Sequence, residues 1–155
     1  MIARLEDRLA TLGLTLPKAA APAANYIPVV LFGNLLQTSG QLPMKDGALA
    51  VTGKLGVSVS LEDGQLAARH CALNVLAQAG AALDGDFDRI SRLLKLTVFV
   101  ASAPDFTDQH KVANGASDLL ADLLGDAGRH ARSAVGVPSL PLDAAVEVEA
   151  LFELR

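Results

Sequence analysis

An α+β sandwich, one mixed sheet with two main helices packed on one face, is the fold this sequence predicts, and three observations predict it. Short apolar runs or alternating segments occur at 29–32, 35–38, 90–100, 131–137 and 145–154. Two longer stretches with three- and four-residue apolar spacing, about 60–80 and 105–124, lie between them. The order is therefore hairpin, helix, strand, helix, strand, strand, whose two crossovers lay both helices on a single side of one sheet.

The elements follow in order. Ile2, Leu5, Leu9 and Leu12 recur at helical steps with Arg4, Asp7 and Arg8 elsewhere on the wheel, which predicts an amphipathic helix over 2–12 ended by Gly13. Residues 14–24, with Pro17 and Pro22, read as an extended connector, and the stripe of the first helix predicts that it packs on the outer helical layer. Gly33-Asn34 between two apolar runs suits the positive φ angles of a two-residue hairpin loop. Lys45-Asp46-Gly47 and Thr52-Gly53 mark turns. Ser60 with Asp63 three residues on predicts a helix N-cap, followed by Leu66, Leu73, Leu76 and Ala77 on one face. Leu94, Leu96, Val98 and Val100 alternate with Lys95, Thr97 and Phe99, a half-buried strand. A helix from about Asp105 aligns Val112, Ala116, Leu119, Leu120 and Leu123. On the last strand Val146, Val148, Ala150 and Phe152 face one way.

Composition narrows the class. At 155 residues the chain is the size of one domain, with 1–21 as helix and connector and 22–155 as core. Apolar residues make up 51% but aromatics only 4%, so Ala, Val and Leu must build the interior. A mean hydropathy of +0.36 is high for a monomer in water and predicts subunit burial. A net charge of −4 with scattered Lys and Arg argues against a nucleic-acid partner. The lone cysteine, Cys71, and the charged start without a signal-peptide pattern predict a reducing cytoplasm. The uncharged stretch 19–44 is interrupted by Pro22, Pro28, Gly33, Asn34 and Pro43, which excludes a lipid-exposed helix.

Most familiar signals fail. Asp84, Asp86 and Asp88 imitate a calcium loop, but Arg89 and Lys95 stand where it needs Gly and Glu. His70, His110, His130 and Cys71 share no ligating spacing, so no metal is expected, and no phosphate loop, dinucleotide fingerprint or nucleophile elbow is present. Arg132 is more informative. It shares a strand face with Ala134 and Gly136, and a long cation beside two minimal side chains lines a groove where an anion reaches the guanidinium bidentately. The bland alternative is a surface or interface ion pair. Glu147 and Glu149 alternate out of the core, and were the last two strands an antiparallel pair, one of them would lie near Arg132. A solvated face shared with Glu153 is the competing explanation.

The stretch Tyr26-Ile27-Pro28 through Gly33-Asn34 to Ser39-Gly40-Gln41-Leu42-Pro43, together with Ala131-Arg132-Ser133-Ala134-Val135-Gly136-Val137-Pro138 and Val146-Glu147-Val148-Glu149-Ala150, resembles the opening and closing signatures of the Rid (reactive intermediate deaminase, YjgF-like) family. Leu73-Asn74-Val75, 95–100 and Asp105-Phe106 match between them, and the resemblance runs from about Pro22 onward. It implies a chorismate-mutase-like fold in a ferredoxin-like arrangement, a homotrimer and clefts between subunits that hydrolyse small enamines and imines to 2-keto acids and ammonia without a cofactor. It also implies roles: Arg132 binds the substrate carboxylate, Glu147 activates water, and Tyr26, Ser39, Gly40, Asn114 and Ala134 line the cleft. Three departures stand out. Ala134 replaces a frequent Cys, the gap from Phe106 to Asn114 is longer, and the first helix marks a separate branch. A trimer that binds small carboxylates without turnover is the alternative, whereas RNA cleavage is disfavoured by the acidic charge and the lack of a His pair.

Overall fold

A computed structural model describes residues 4–155, so Ile2 of the predicted first helix lies outside the described residues. Helix α1, Leu5–Thr11, buries Leu5 and Leu9 against the helical layer, and Arg8 Nη1 donates to the carbonyl of Asp122 at 3.1 Å. The hairpin forms as expected from β1, Val29–Phe32, and β2, Leu35–Thr38, with Phe32 opposite Leu35. Of the turn pair, Gly33 takes the positive φ, 57°. A small ladder of β3, Met44–Lys45, and β4, Ala48–Leu49, turns at Asp46-Gly47.

Helix α2, Leu61–Ala82, starts where Ser60 Oγ accepts from the Asp63 amide. Every residue from Cys71 to Gly80 is buried, all round the helix. The sheet, helix α3 (Gln109–Leu124) and the connector enclose it, and Gln78 Nε2 donates to Ala20 O at 2.7 Å. The many alanines permit that closeness: a Cβ on Gly115 of α3 would fall 2.1 Å from the carbonyl oxygen of Gln65 on α2, so only glycine fits there. Leu66, expected on the core face, is 44% exposed instead, because Ala67, Ala68 and Cys71 make that contact.

Helix α3 begins four residues later than its periodicity suggested. Pro104 disfavours helix in the residue before it, the amide of Phe106 closes a turn onto Ala103, and Gln109 caps the carbonyl of Phe106 with its side chain at 2.7 Å. From Gln109 on, Val112, Ala116, Leu119, Leu120 and Leu123 are all buried as expected.

The five-stranded sheet has the order β1-β2-β7-β5-β6, completed by β5, Ile90–Ala101, β6, Ala131–Val137, and β7, Val146–Leu154. Only β5 and β6 run parallel. A register shift between Leu93 and Lys95 reverses the face of the preceding residues, so Leu93, not Leu94, enters the core. On β7 the alternation is complete: Val146, Val148, Ala150, Phe152 and Leu154 are buried, and the residues between them are half-exposed.

No helix of the described residues is long and apolar enough to cross a membrane, and no group of three His, Cys, Asp or Glu among them is placed to hold a metal ion. Phe152 has no exposed surface and joins the sheet to the helical layer. Phe152→Ala is expected to lower the unfolding free energy by about 3–5 kcal/mol, while Leu66→Ala changes it by under about 0.5 kcal/mol; urea denaturation of both variants checks the contrast.

Candidate functional site

The last two strands do not pair. Strand β5 lies between them, parallel to β6 and antiparallel to β7, so the adjacency that would have set Glu147 or Glu149 beside Arg132 is absent. Arg132 stands in a row with Leu96 and Ala150, both buried toward the helices, whereas Glu147 stands in a row with Phe99 and Val135 on the opposite face. The two side chains therefore leave opposite faces of the sheet, with their strands about 10 Å apart across it. The residues expected to act together fall into two half-sites.

The first half-site is built between edge strand β6 and α3. Positions 110, 114 and 117 follow one another at helical steps on the side of α3 that meets β6. Arg132 Nη1 donates to Asn114 Oδ1 at 2.9 Å and to Ser117 Oγ at 3.1 Å, and Nη2 donates to the His110 carbonyl at 3.1 Å. Three of the five N–H bonds of the guanidinium are thus used within the protomer. Ser117 Oγ also lies 2.9 Å from His130 Nε2, and His130 Nδ1 lies 2.6 Å from the Gly128 carbonyl. Asn114 contacts the arginine directly. Ala134 shares the Arg132 face and packs on the core. Farther along that face, Gly136 joins Ser102, Phe106 and Gln109 in lining a cavity of about 500 Å³.

The second half-site is on the other face. After β2 the chain runs beside β7 through a bridge between Gln41 and Val148, which carries Ser39 and Gly40 past Glu147. Contact there is so close that a Cβ on Gly40 would lie 1.9 Å from Glu147 Oε1. Glycine is what lets the carboxylate occupy that place. Burial, and secondarily the like charge of Glu149, hold the Glu147 carboxyl above its ordinary pKa. Among the described residues no cation makes an ion pair with it. Ser39 is held internally, its amide donating to Pro28 O and its hydroxyl to Ile27 O. Tyr26 is 45% exposed, its hydroxyl accepts from the Ala23 amide, and it lines a cavity of about 130 Å³ together with Gly40, Pro28 and Leu142. Glu149, in a row with Thr97 and Ser133, lies farther along the same face.

Sequence reasoning missed Ser117, His130 and the His110 carbonyl. Positions 110, 114 and 117 share one face of α3 at helical steps, but Gln109, Lys111, Asp118 and Asp122 make other parts of the helix polar too, and only packing against β6 singles that face out.

Comparison with known proteins gives the same picture on a larger scale. The family described as "YjgF/chorismate mutase-like, putative endoribonuclease" matches residues 6–154. Protein TCP17 of Trypanosoma cruzi is 55% identical over 153 residues, 98% of this chain and 95% of that protein. The crystal structure of Atu1372 from Agrobacterium tumefaciens superposes with a TM-score of 0.92 at 54% identity, covering 97% of this chain and 92% of that one. Escherichia coli TdcF, solved with bound serine, superposes less closely, with a TM-score of 0.61 at 27% identity over 90% of this chain and 92% of its own. The two signature segments and the chorismate-mutase-like fold thus occur in a chain that, over nearly its whole length, belongs to the Rid (YjgF/chorismate mutase-like) family.

Proposed function

We propose that this chain hydrolyses small enamine or imine acids to 2-keto acids and ammonia, in a homotrimer whose clefts join the Arg132 half-site of one copy to the Glu147 half-site of the next. The observation that carries this reading is the separation itself. A guanidinium on an edge strand and a half-buried carboxylate with no cationic partner among the described residues stand on opposite faces of one sheet, and two copies can bring them together where one cannot. The surface supports association. Val30 and Phe32 of edge strand β1 and Val135 of β6 lie exposed on the face that carries Glu147, with Phe32 at 80%. Apolar surface of this kind is ordinarily covered by another chain. TdcF, a structural relative, was solved with bound serine, a small carboxylate of the size the cleft would take.

The chemistry needs few parts. The two remaining N–H bonds of Arg132 bind the substrate carboxylate. Ser39 has its amide and hydroxyl engaged internally, so Gly40 is the member of that pair left to meet the nitrogen end. An enamine first tautomerises to the imine. Glu147 then takes a proton from water as the oxygen bonds to the C=N carbon and passes it to nitrogen. The hydroxyl of the resulting carbinolamine gives its proton through the same carboxylate to nitrogen as the C–N bond breaks, releasing ammonia and the keto acid. Tyr26 and Ala134 shape the walls, with Asn114 holding the arginine. An imine is already electrophilic, so orientation supplies most of the acceleration. Cys71, buried against the carbonyl of Val146, has no part in it and suits a reducing cytoplasm.

Generating 2-iminopropionate from alanine with an amino-acid oxidase and following its loss tests this directly. Wild type accelerates the loss, Arg132→Ala removes the acceleration, and Glu147→Gln lowers turnover by about 10²–10⁴-fold. If wild type leaves the rate unchanged yet binds pyruvate through Arg132, the protein is a carboxylate binder and the enzymatic reading fails. Glu147 must be ionised to accept a proton. Because its pKa is raised, kcat/KM falls on acidification at a pH above the ordinary carboxylate range, and a rate profile between pH 4 and 8 displays that limb. Gly40→Ala, with a φ that tolerates the substitution, displaces the Glu147 carboxylate and lowers turnover about 10–100-fold with the Tm little changed. Light scattering should give three times the chain mass; a monomer of intact activity would contradict the shared cleft.

A further inference from the structure

We infer that Ser117 and His130 are positioning residues, a relay that fixes the guanidinium of Arg132 in the orientation in which it receives a carboxylate. The inference rests on the reading of Arg132 as the anchor. It concerns residues to which neither the family signature nor the matching segments give a role.

The direction of each hydrogen bond follows from what each group can do. The Gly128 carbonyl only accepts, so His130 Nδ1, 2.6 Å away, carries the ring proton. Arg132 Nη1 only donates, so Ser117 Oγ accepts from it at 3.1 Å. In the neutral imidazole the hydroxyl's single proton is then left for His130 Nε2 at 2.9 Å, where the ring nitrogen accepts. Donation runs one way along the chain, Arg132 to Ser117 to His130 to the backbone, and each bond polarises the next.

Its anchor points are rigid. Ser117 is on α3 one turn after Asn114, and buried Gly128 closes the 3₁₀ turn Gly125–Gly128 that follows α3, where a Cβ would fall 2.4 Å from the carbonyl oxygen of Leu120. Ser117 and the Gly128 carbonyl, the two partners of His130 in the relay, are therefore both tied to the same packed helix. Asn114 and the His110 carbonyl hold the guanidinium from two further directions. A flexible arginine loses side-chain entropy when it binds an anion, and a guanidinium already held loses less. The relay therefore strengthens ground-state carboxylate binding without touching the reacting carbon.

Two measurements test it. In the first, which needs no ligand, nitrogen-detected NMR of the arginine side chains reads rotation about the Cζ–Nη bonds. Arg132 of wild type should rotate slowly, Ser117→Ala should speed it, and Ser117→Thr, which keeps the hydroxyl, should restore it. Equal rotation in wild type and Ser117→Ala overturns the inference. In the second, Ser117→Ala and His130→Ala each raise KM for the imine, and Kd for pyruvate, about three- to tenfold with kcat within about twofold. The double variant should be no weaker than Ser117→Ala alone, since both substitutions cut one chain. Unchanged KM and Kd, or losses that simply add, overturn it. Because pyruvate affinity and side-chain rotation are read without turnover, a wild type that binds but does not catalyse refutes the enzymatic reading while leaving the relay supported.

Discussion

The placement of β5 between β6 and β7 is the constraint from which the rest of this molecule follows. The crossover through α3 returns the chain parallel to β5 on its outer side, and β7 occupies the inner side. Register then assigns faces: Leu96 and Ala150 must be buried under the helices, so Arg132 in their row points to the helices as well. Glu147 is three positions along β7 from Ala150 and so emerges on the other side. A slip of one residue in either pairing would exchange the two faces and strip the core of its apolar rows.

That constraint also explains why the two half-sites are built so differently. Arg132 lies on an edge strand under a helix, where donors can be matched by a carbonyl, an amide oxygen and a hydroxyl from one helical stripe. Glu147 lies in mid-sheet on a face with no helix over it, where burial, and secondarily the neighbouring Glu149, raise its pKa instead of satisfying its charge. A well-held cation and a half-buried carboxylate with no cationic partner among the described residues are complementary in chemistry. The exposed apolar residues Val30 and Phe32 of β1 and Val135 of β6 lie on the same face as the second half-site, Val135 in the row of Glu147 itself.

Small side chains make the helical layer possible. The Ala-rich α2 is buried on all sides from Cys71 to Gly80, and α3 meets it closely enough to require glycine at 115. The extension adds to this layer: α1 buries Leu5 and Leu9 there, and the connector is held by Gln78 before running into the wall of the Tyr26 cavity.

The element order, the hairpin, the Ser60 cap, the buried rows of α3 and β7 and the family were all legible in the sequence, because each depends on local periodicity, turn chemistry or a contiguous motif. The start of α3, the face of Leu94 and the exposure of Leu66 were not, because a proline turn, a bulge and the competition of small residues for one contact override periodicity locally. The sequence by itself singled out the side chains proposed to carry chemistry, Arg132 and Glu147 foremost. Only the tertiary structure decided that they stand on opposite faces and that Ser117 and His130 stand behind the arginine, since strand order and the packing of α3 on β6 join residues whose separation along the chain carries no signal of contact.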